Sequence, residues 1–321
     1  MSKASYRTID YYLRPAKNVE RKMILEVLKE VVRKTSGKFC YIGMGSLAFI
    51  DFRLFHKELL IDEMISIEKK KDDQERFEFN KPFNIKIEYG DAGEVLSRTS
   101  FESKQTLLWL DYDGNFSSFM LQDAELAFSK MEPWSIYLMT CRQDLTAYFE
   151  NNEENNSLVL RKFSDEFGDD VPYDLRNKDF TRANFKNLIY RMLVSKINSV
   201  ISNRNSALQQ KDRLSFKQLF FFSYSDGAPM LSFGGILVPS STKLNRKFNL
   251  GLCPFVRKDE KPCEISIPIL TKREIDFLNS YLPDKNNNYE VETDKHKIPK
   301  KERLEYRELY RFFPDYRETV I

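Results

Sequence analysis

Residues 39–46 read FCYIGMGS, a short apolar run that leads directly into a glycine-rich turn. An uncharged run of this length bounded by glycine is typical of a buried strand. Apolar side chains then recur at helical spacing after the turn, namely Phe52, Phe55 and Leu59. The segment therefore predicts a strand, a tight turn and a helix, in which Gly43 and Gly45 let the backbone approach a ligand closely.

The same alternation continues towards the C-terminus. Further strands are predicted at 64–67, 84–89, 106–110 and 135–139, with helical patterns between most of them. Strands separated by helices imply right-handed crossovers and a parallel sheet with helices on both faces. Apolar runs at 219–224 and 230–238 flank the turn sequence SDGAP and predict an antiparallel hairpin. The predicted fold class is α/β, with a mostly parallel sheet that ends in this late hairpin.

Three parts are expected along the chain. Residues 1–38 form an N-terminal helical segment that Pro15 can open, and residues 39–240 form the α/β domain. An insertion is expected near 150–182, where the polar run NNEENN is followed by an acidic stretch with little periodicity. Residues 241–321 are expected to be a C-terminal helical extension packed on the core. A protein partner could bind through the C-terminal half of the chain.

Composition sets limits on location and partners. The chain has 51 basic and 48 acidic residues, a balance that does not support nucleic acid as a partner. Four cysteines without a CxxC pair, with only two histidines, give no basis for a zinc site. The sequence shows no apolar leader and no run of about 18 apolar residues, so we expect a cytoplasmic protein and no membrane span.

Candidate ligand contacts follow the first two strands. In a parallel sheet, ligands bind where strands end and helix N-termini begin. Ser46 belongs to the glycine turn after the first strand, and Glu68 ends the second strand, 23 residues after Gly45. An acid at that place can accept hydrogen bonds from both hydroxyls of a ribose. The alternative is a solvated glutamate beside the lysines that follow it.

Gly90-Asp91-Ala92 follows the third strand. Asp91 there could accept a hydrogen bond from an adenine amino group, and the small Ala92 would leave room for the ring. The alternative is an ordinary Gly-Asp turn. Read together with the first two motifs, the tripeptide favours binding of an adenosine-containing cofactor.

Asp111 and Asp113 follow the fourth predicted strand. Two carboxylates spaced i, i+2 on extended backbone point the same way. They could bind a divalent metal, act as a general base or hold a substrate amine, and one of them could instead cap the next helix. We assign both to the catalytic side of the site, and we assign no metal.

Four segments taken in order resemble the successive motifs of class I methyltransferases that depend on S-adenosylmethionine (SAM). They are YIGMGS at 41–46, ISIEK at 65–69, IEYGDAGEVL at 87–96 and WLDYDG at 109–114. More narrowly, RPAKNVERKMI at 14–24 and GSLAFIDFRLFHKEL at 45–59 resemble a bacterial family described as O-methyltransferases of unknown substrate. The resemblance implies a Rossmann-like methyltransferase sheet, SAM as cofactor and a methyl acceptor that the sequence does not identify.

The resemblance also implies roles for single residues. Gly43 and Gly45 would lie near the methionine and sugar parts of SAM, and Glu68 would bind the ribose. Asp91, with Ala92 beside it, would contact adenine. Asp111 would face the methyl group.

Two other functions stay open on the sequence. GMGSLA at 43–48 also satisfies GxGxxA and, with Glu68, meets the dinucleotide fingerprint of NAD enzymes. The Gly90-Asp91-Ala92 motif and the late hairpin speak against that function. The third possibility is a non-catalytic module that binds SAM or a nucleotide for sensing or interaction, since no general base stands out. The sequence favours a SAM-dependent methyltransferase.

Overall fold

The fold is built on one eight-stranded sheet. The structure is a computed structural model, and it describes residues 14–69, 71–145 and 156–314. The strand order is β3-β2-β1-β4-β5-β7-β6-β8. Strands β1 to β5 are mutually parallel, whereas β7 runs antiparallel to both β5 and β6, and β8 is parallel to β6. The strands are β1 Phe39–Gly43, β2 Glu63–Glu68, β3 Lys86–Tyr89, β4 Gln105–Asn115, β5 Ile136–Arg142, β6 Leu214–Ser225, β7 Pro229–Pro239 and β8 Cys263–Ile265.

Helices lie on both faces of this sheet, and further short helices follow β8. They are α1 Pro15–Lys34, α2 Ile50–Leu59, α3 Gln74–Asn80, α4 Ala92–Arg98, α5 Ser118–Lys130, α6 Asn156–Phe167, α7 Phe185–Ser206, α8 Leu244–Lys247, α9 Lys272–Asn279, α10 Tyr289–Thr293 and α11 Lys300–Leu309. None of these described helices is long and apolar enough to cross a bilayer.

The core lies on both sides of the sheet, as the alternation along β4 shows. Leu108 and Leu110 belong to the apolar cluster that includes residues of α4, α5 and α7. Leu107 and Trp109 belong to the cluster that includes residues of α1 and α2. Successive side chains of a strand point to opposite faces, so one strand supplies both cores. The predicted Rossmann-like α/β class is confirmed, and so is the late antiparallel hairpin.

Strand β4 is longer than the sequence suggested. The predicted strand ended at residue 110, whereas β4 continues to Asn115 and stays paired with β5. Tyr112 is still buried, while Asp111 and Asp113 point to the other side of the backbone. Polar residues at alternate positions mark a half-exposed strand and do not end it. The prediction that both aspartates follow the strand is therefore wrong.

The segment after β5 contains a helix where little periodicity was expected. In α6, Phe163 and Phe167 are buried in the same cluster as α5 and α7. The helix spans the boundary between the polar run and the acidic stretch, which hides the spacing of four residues between Val159, Phe163 and Phe167. Residues 151–155 of the NNEENN run lie outside the described residues, and the division of the chain into domains stays a prediction.

The C-terminal segment is not purely helical. It supplies β8, which pairs with residues 222–224 of β6. Beyond β8, a small separate apolar cluster joins Leu278, Tyr289, Ile298 and Tyr306. Short strands such as β8 give little sequence signal, because three residues cannot establish an alternation.

The first turn of α1 is anchored by the turn between β6 and β7. The backbone N–H groups of Ala16 and Lys17 donate to the Asp226 carboxylate at 3.1 and 2.8 Å, and Arg14 lies 3.9 Å from it. A carboxylate satisfies the free donors at a helix start and complements the helix dipole. This cap holds α1 against the edge of the sheet where β4 ends.

We predict that Asp226→Ala lowers the free energy of unfolding by about 1–2 kcal/mol, because two helix-start donors lose their acceptor. Chemical denaturation followed by circular dichroism measures the change. Asp212→Ala removes an exposed carboxylate next to β6 and serves as the matched control. Equal stability of the two variants would show that the cap does not hold the helix.

Candidate active site

The loops after β1, β2 and β3 are joined by hydrogen bonds. The Gly45 N–H donates to Ser66 Oγ at 3.1 Å, and the Ser66 hydroxyl donates to Glu68 Oε1 at 2.8 Å. The Gly90 N–H donates to the Glu68 carbonyl at 3.1 Å. The three predicted ligand-binding loops therefore meet at Glu68.

Glu68 is buried, with 6% of its surface exposed. Burial raises the pKa of its carboxyl to about 7, against the opposing effect of hydrogen bonds from Ser66 and from the backbone of Ser46 and Gly45. The alternative of a solvated glutamate is therefore wrong. A buried carboxyl with spare acceptor capacity can receive hydroxyl donors of a ligand.

The glycines of the first loop are required by the chain's own packing. A Cβ on Gly43 would lie 2.2 Å from the Tyr41 hydroxyl oxygen, and a Cβ on Gly45 would lie 2.4 Å from the Phe49 ring. Gly43 is also the last residue of β1 and not part of the turn. Both distances are too short for any side chain. Close approach of a ligand to these glycines stays a prediction.

Ser46 adopts a left-handed backbone, with φ of 52°. Its Oγ is buried and has no hydrogen-bond partner among the described residues. Buried hydroxyl groups normally form a hydrogen bond, so the Ser46 hydroxyl has donor and acceptor capacity left for a ligand. Ser46 thus presents a free polar atom in the loop that also contacts Glu68.

Asp91 lies at the start of α4 and is 59% exposed at its side chain. Its carboxylate forms an ion pair with Lys69 at 2.7 Å, and its N–H donates to Glu94 Oε2 at 3.3 Å. Ala92 is buried directly behind it. The turn with φ of 148° at Gly90 fits the ordinary Gly-Asp interpretation too, so contact of Asp91 with adenine stays a prediction.

Asp111 forms an ion pair with Lys17, a residue that was not predicted to belong to the site. The Lys17 side chain is fully buried, and its Nζ lies 2.8 Å from Asp111 Oδ1 and 2.9 Å from Glu20 Oε2. The same Nζ lies 4.5 Å from the centre of the Trp109 ring. A buried ammonium is tolerated when carboxylates and a π face surround it. Helix α1 thus brings a cation to the part of β4 that extends beyond the end of β1, since Gly43 pairs with Trp109.

A second buried ion pair lies beside the first. The Arg21 guanidinium binds the Asp51 carboxylate through Nε at 2.5 Å and Nη2 at 3.3 Å. Burial alone would lower the pKa of Arg21, but Asp51 outweighs it and raises that pKa. This bidentate pair joins α1 to α2, the helix that follows the glycine loop.

The cluster carries an excess of negative charge. Its cations are Arg14, Lys17 and Arg21, and its carboxylates are Glu20, Asp51, Asp111 and Asp226. Three positive and four negative groups leave one formal negative charge when all are ionised. The site therefore favours a cationic ligand group on electrostatic grounds.

Asp111 is held in its ionised form. Burial would raise the pKa of its carboxyl, yet Lys17, Arg21 and Arg14 outweigh that effect and lower it. Its side chain remains 16% exposed, and Asp113 farther along β4 is exposed. An ionised, partly accessible carboxylate can orient a hydroxyl or amine donor. A lowered pKa makes it a weak proton acceptor.

One signal in the sequence pointed to this cluster. Lys17, Glu20 and Arg21 interrupt the apolar face of α1 at spacings of three and four residues. Charged residues on a face that is otherwise buried indicate ion pairs inside the fold. Their partners Asp51 and Asp111 are far away in sequence, so the pattern could not identify them.

Residues 9–321 match the model of a protein family described as "Putative O-methyltransferase". No curated protein matches the chain. Similar solved structures include Trm1 from Pyrococcus horikoshii with S-adenosyl-L-methionine, with 13% identity over 77% of this chain and 61% of that chain and a TM-score of 0.44.

Two further structures are similar to this chain. A variant of LepI in complex with SAH and a substrate analogue has 9% identity over 63% of this chain and 43% of that chain, with a TM-score of 0.34. An O-methyltransferase from Bacillus cereus in complex with SAH has 10% identity over 74% of this chain and 92% of that chain, with a TM-score of 0.35. The chain thus spans less than two thirds of the Trm1 and LepI chains.

We predict that Glu68→Gln changes how stability depends on pH. The folded pKa of Glu68 is about 7, above the ordinary value of 4.5. Its carboxyl therefore favours the folded state most below pH 4.5, and this contribution is lost as pH rises through 7. At pH 8 the free energy of unfolding of the variant should exceed that of the wild type by up to about 3 kcal/mol. Denaturation at pH 5 and pH 8 measures this.

Glu63→Gln, at the exposed start of the same strand, is the control and should leave the pH profile unchanged. Parallel profiles for the wild type and Glu68→Gln would contradict the raised pKa.

Proposed function

The chain belongs to the protein family described as "Putative O-methyltransferase", and from this premise we propose that it transfers a methyl group from SAM to an oxygen of an acceptor. The observation that carries the proposal is the buried Glu68: its carboxyl is hydrogen-bonded to Ser66 and to the glycine loop after β1, and its backbone carbonyl accepts from Gly90 in the turn after β3. The ionised Asp111 lies on β4, next to β1 in the sheet. Cofactor contacts and acceptor contacts would thus share one edge.

The residues at this edge suit SAM. Glu68 would accept hydrogen bonds from the ribose hydroxyls, and the unpaired Ser46 Oγ would bind a polar group of the cofactor. Asp91, with Ala92 behind it, would contact adenine. When bound, SAM supplies a sulfonium methyl group that a nucleophilic oxygen can take. The excess negative charge of the α1 cluster would favour that cation.

The proposed role of Asp111 is to orient the acceptor. Lys17 keeps the carboxylate ionised and in place, so it can accept a hydrogen bond from a hydroxyl. Because its pKa is lowered, it removes a proton from an ordinary alcohol poorly. We therefore propose an acceptor with an acidic hydroxyl, such as a phenol. Asp113 would add negative charge on the exposed part of β4.

A non-catalytic SAM-binding module is the second candidate. The observation that favours it is that the Asp111 carboxylate is already paired with Lys17. The family match favours a methyltransferase over the NAD-dependent enzyme that the glycine motif also allowed. A measurement of methyl transfer from SAM decides between the methyltransferase and the non-catalytic module.

The proposed location is the cytoplasm of a bacterium. Its support is the resemblance to a bacterial family and the four cysteines, all of which are free. A protein partner on the C-terminal half is also proposed. Leu252, Ile269 and Val291 expose most of their apolar surface there.

We predict that SAM binds with an affinity that rises about ten-fold from pH 6 to pH 8, as the ionised fraction of Glu68 rises from about a tenth to about nine tenths. Glu68→Ala should weaken binding by about 1–3 kcal/mol, because the hydrogen-bond acceptor is lost. Isothermal titration calorimetry measures both effects. Glu63→Ala on the same strand is the control. An affinity independent of pH in the wild type would overturn the assignment of Glu68.

We predict that Asp111→Asn retains SAM binding and lowers turnover by about two orders of magnitude, since it removes the carboxylate that orients the acceptor. The measurement is formation of S-adenosylhomocysteine with a panel of phenols and aliphatic alcohols. Asp113→Asn is the matched control on the same strand and should cost much less. Binding of SAM without turnover on any acceptor by the wild-type protein would instead support the non-catalytic module.

A further inference from the structure

A groove runs along the first half of β6, away from the candidate active site. It consists of two adjoining cavities of about 420 and 610 Å³, and both are lined by Asn198 of α7 and Phe216 of β6. Strand β6 is parallel to β1 and β4, so its first residues lie level with the N-terminal ends of these strands, whereas Asp111 lies towards their C-terminal ends. The groove is therefore separate from the proposed cofactor site.

The groove is open because the sheet is incomplete there. Strand β8 pairs only with residues 222–224, so no described strand pairs with residues 215–218 on that side. The Asn205 side chain bonds the backbone of Leu214, and the Arg257 N–H donates to the Leu219 carbonyl, at the two ends of this unpaired stretch. Helix α7 forms one wall, and residues 242–246 with Lys258 form the other. The space left between these walls has the volume of a small-molecule pocket, for which about 300–1,000 Å³ is usual.

Cations surround this groove. Its lining includes five of them and no carboxylate: Arg213, Lys217, Lys243, Arg246 and Lys258. Within the described ranges, none of the five has a carboxylate oxygen within 4.0 Å, although Lys258 donates to Asn245 Oδ1 at 2.9 Å. The chain as a whole balances 51 basic against 48 acidic residues. Such a local excess without ion pairs indicates an anionic ligand.

The floor of the groove is apolar and partly aromatic. Tyr190, Val194, Phe216 and Leu244 line the larger cavity. In the smaller cavity, Ser215 Oγ is buried with no hydrogen-bond partner in the part of the chain that the structure describes. Aromatic side chains beside cations are the combination that stacks bases and binds phosphates. The exposed Asp259 and Glu260 follow Lys258 at the rim and are not part of the lining, but they lie near enough to Tyr190 to add to the effect of burial, which raises the pKa of its hydroxyl. The five lining cations outnumber these two rim carboxylates.

We propose that this groove binds a phosphorylated ligand that carries a planar ring, of the nucleotide class. Lys217, Arg246 and their neighbours bind the phosphate, and Tyr190 with Phe216 contacts the ring. The nucleotide is either free or part of a single-stranded nucleic acid, because both present the same phosphate and base. The site is additional to the SAM site and does not depend on methyl transfer.

The test uses the full chain and two uridine probes, UDP and a single-stranded RNA of ten uridines, in low salt. Uridine avoids the adenine contact proposed for Asp91. Calorimetry should detect binding of at least one probe, and Lys217→Ala/Arg246→Ala should weaken it about ten-fold or more through loss of charge-assisted hydrogen bonds. Lys57→Ala/Arg182→Ala removes two exposed cations outside the groove and should leave affinity unchanged. Unchanged thermal midpoints confirm that both double variants fold.

The probes distinguish the sources. UDP and RNA binding of similar strength supports a free nucleotide, and RNA binding that exceeds UDP binding about ten-fold or more supports a nucleic acid. The proposal is overturned if neither probe binds, if the groove variant binds both as the wild type does, or if the control variant loses as much affinity. Stronger binding of a ten-residue polyglutamate peptide than of either probe would also overturn it.

Discussion

Full burial of the Lys17 ammonium is the constraint on which the candidate active site depends. An ammonium without water is tolerated only where opposite charges surround it, and removal of one partner of such a pair costs about 3–5 kcal/mol. Lys17 forms ion pairs with Asp111 on β4 and with Glu20 one turn along its own helix. The position of α1, the rotamer of Asp111 and the charge of the site are thus set together.

The edge of the sheet holds two acidic groups in opposite electrostatic surroundings. Glu68 has no cation against its carboxyl among the residues that the structure describes, so burial raises its pKa, whereas Asp111 has three cations nearby and its pKa is lowered. Pairs of carboxyls whose surroundings separate their pKa values commonly divide binding and catalytic tasks. Here Glu68 suits hydrogen bonds to a neutral sugar. In the proposed function, Asp111 would place a fixed negative charge beside the cationic methyl donor.

The sequence was sufficient for what local patterns determine. Apolar runs separated by helical patterns predicted the parallel strands, and two apolar runs around a turn sequence predicted the hairpin. The position of Glu68 at the end of β2 was also predicted correctly. The pairing of Lys17 with Asp111 spans 94 residues, and the Asp226 cap of Lys17 spans 209. A local sequence pattern cannot reveal contacts between residues that are so far apart in the sequence. The length of β4 is not evident from the sequence because its last residues alternate between buried and exposed. Helix α6 is not evident because it spans the boundary between the polar run and the acidic stretch.

A crystal structure with S-adenosylhomocysteine would show whether Glu68 and Asp111 serve one site. We expect the ribose hydroxyls at the Glu68 carboxylate, and Asp111 close enough to the sulfur to hydrogen-bond an acceptor beside it, directly or through one water. A ligand bound away from Glu68 would contradict the assignment of the cofactor site. A separation of more than about 10 Å between Asp111 and the sulfur would place the carboxylate out of reach of any acceptor there and would leave the Lys17 pair with a purely structural role.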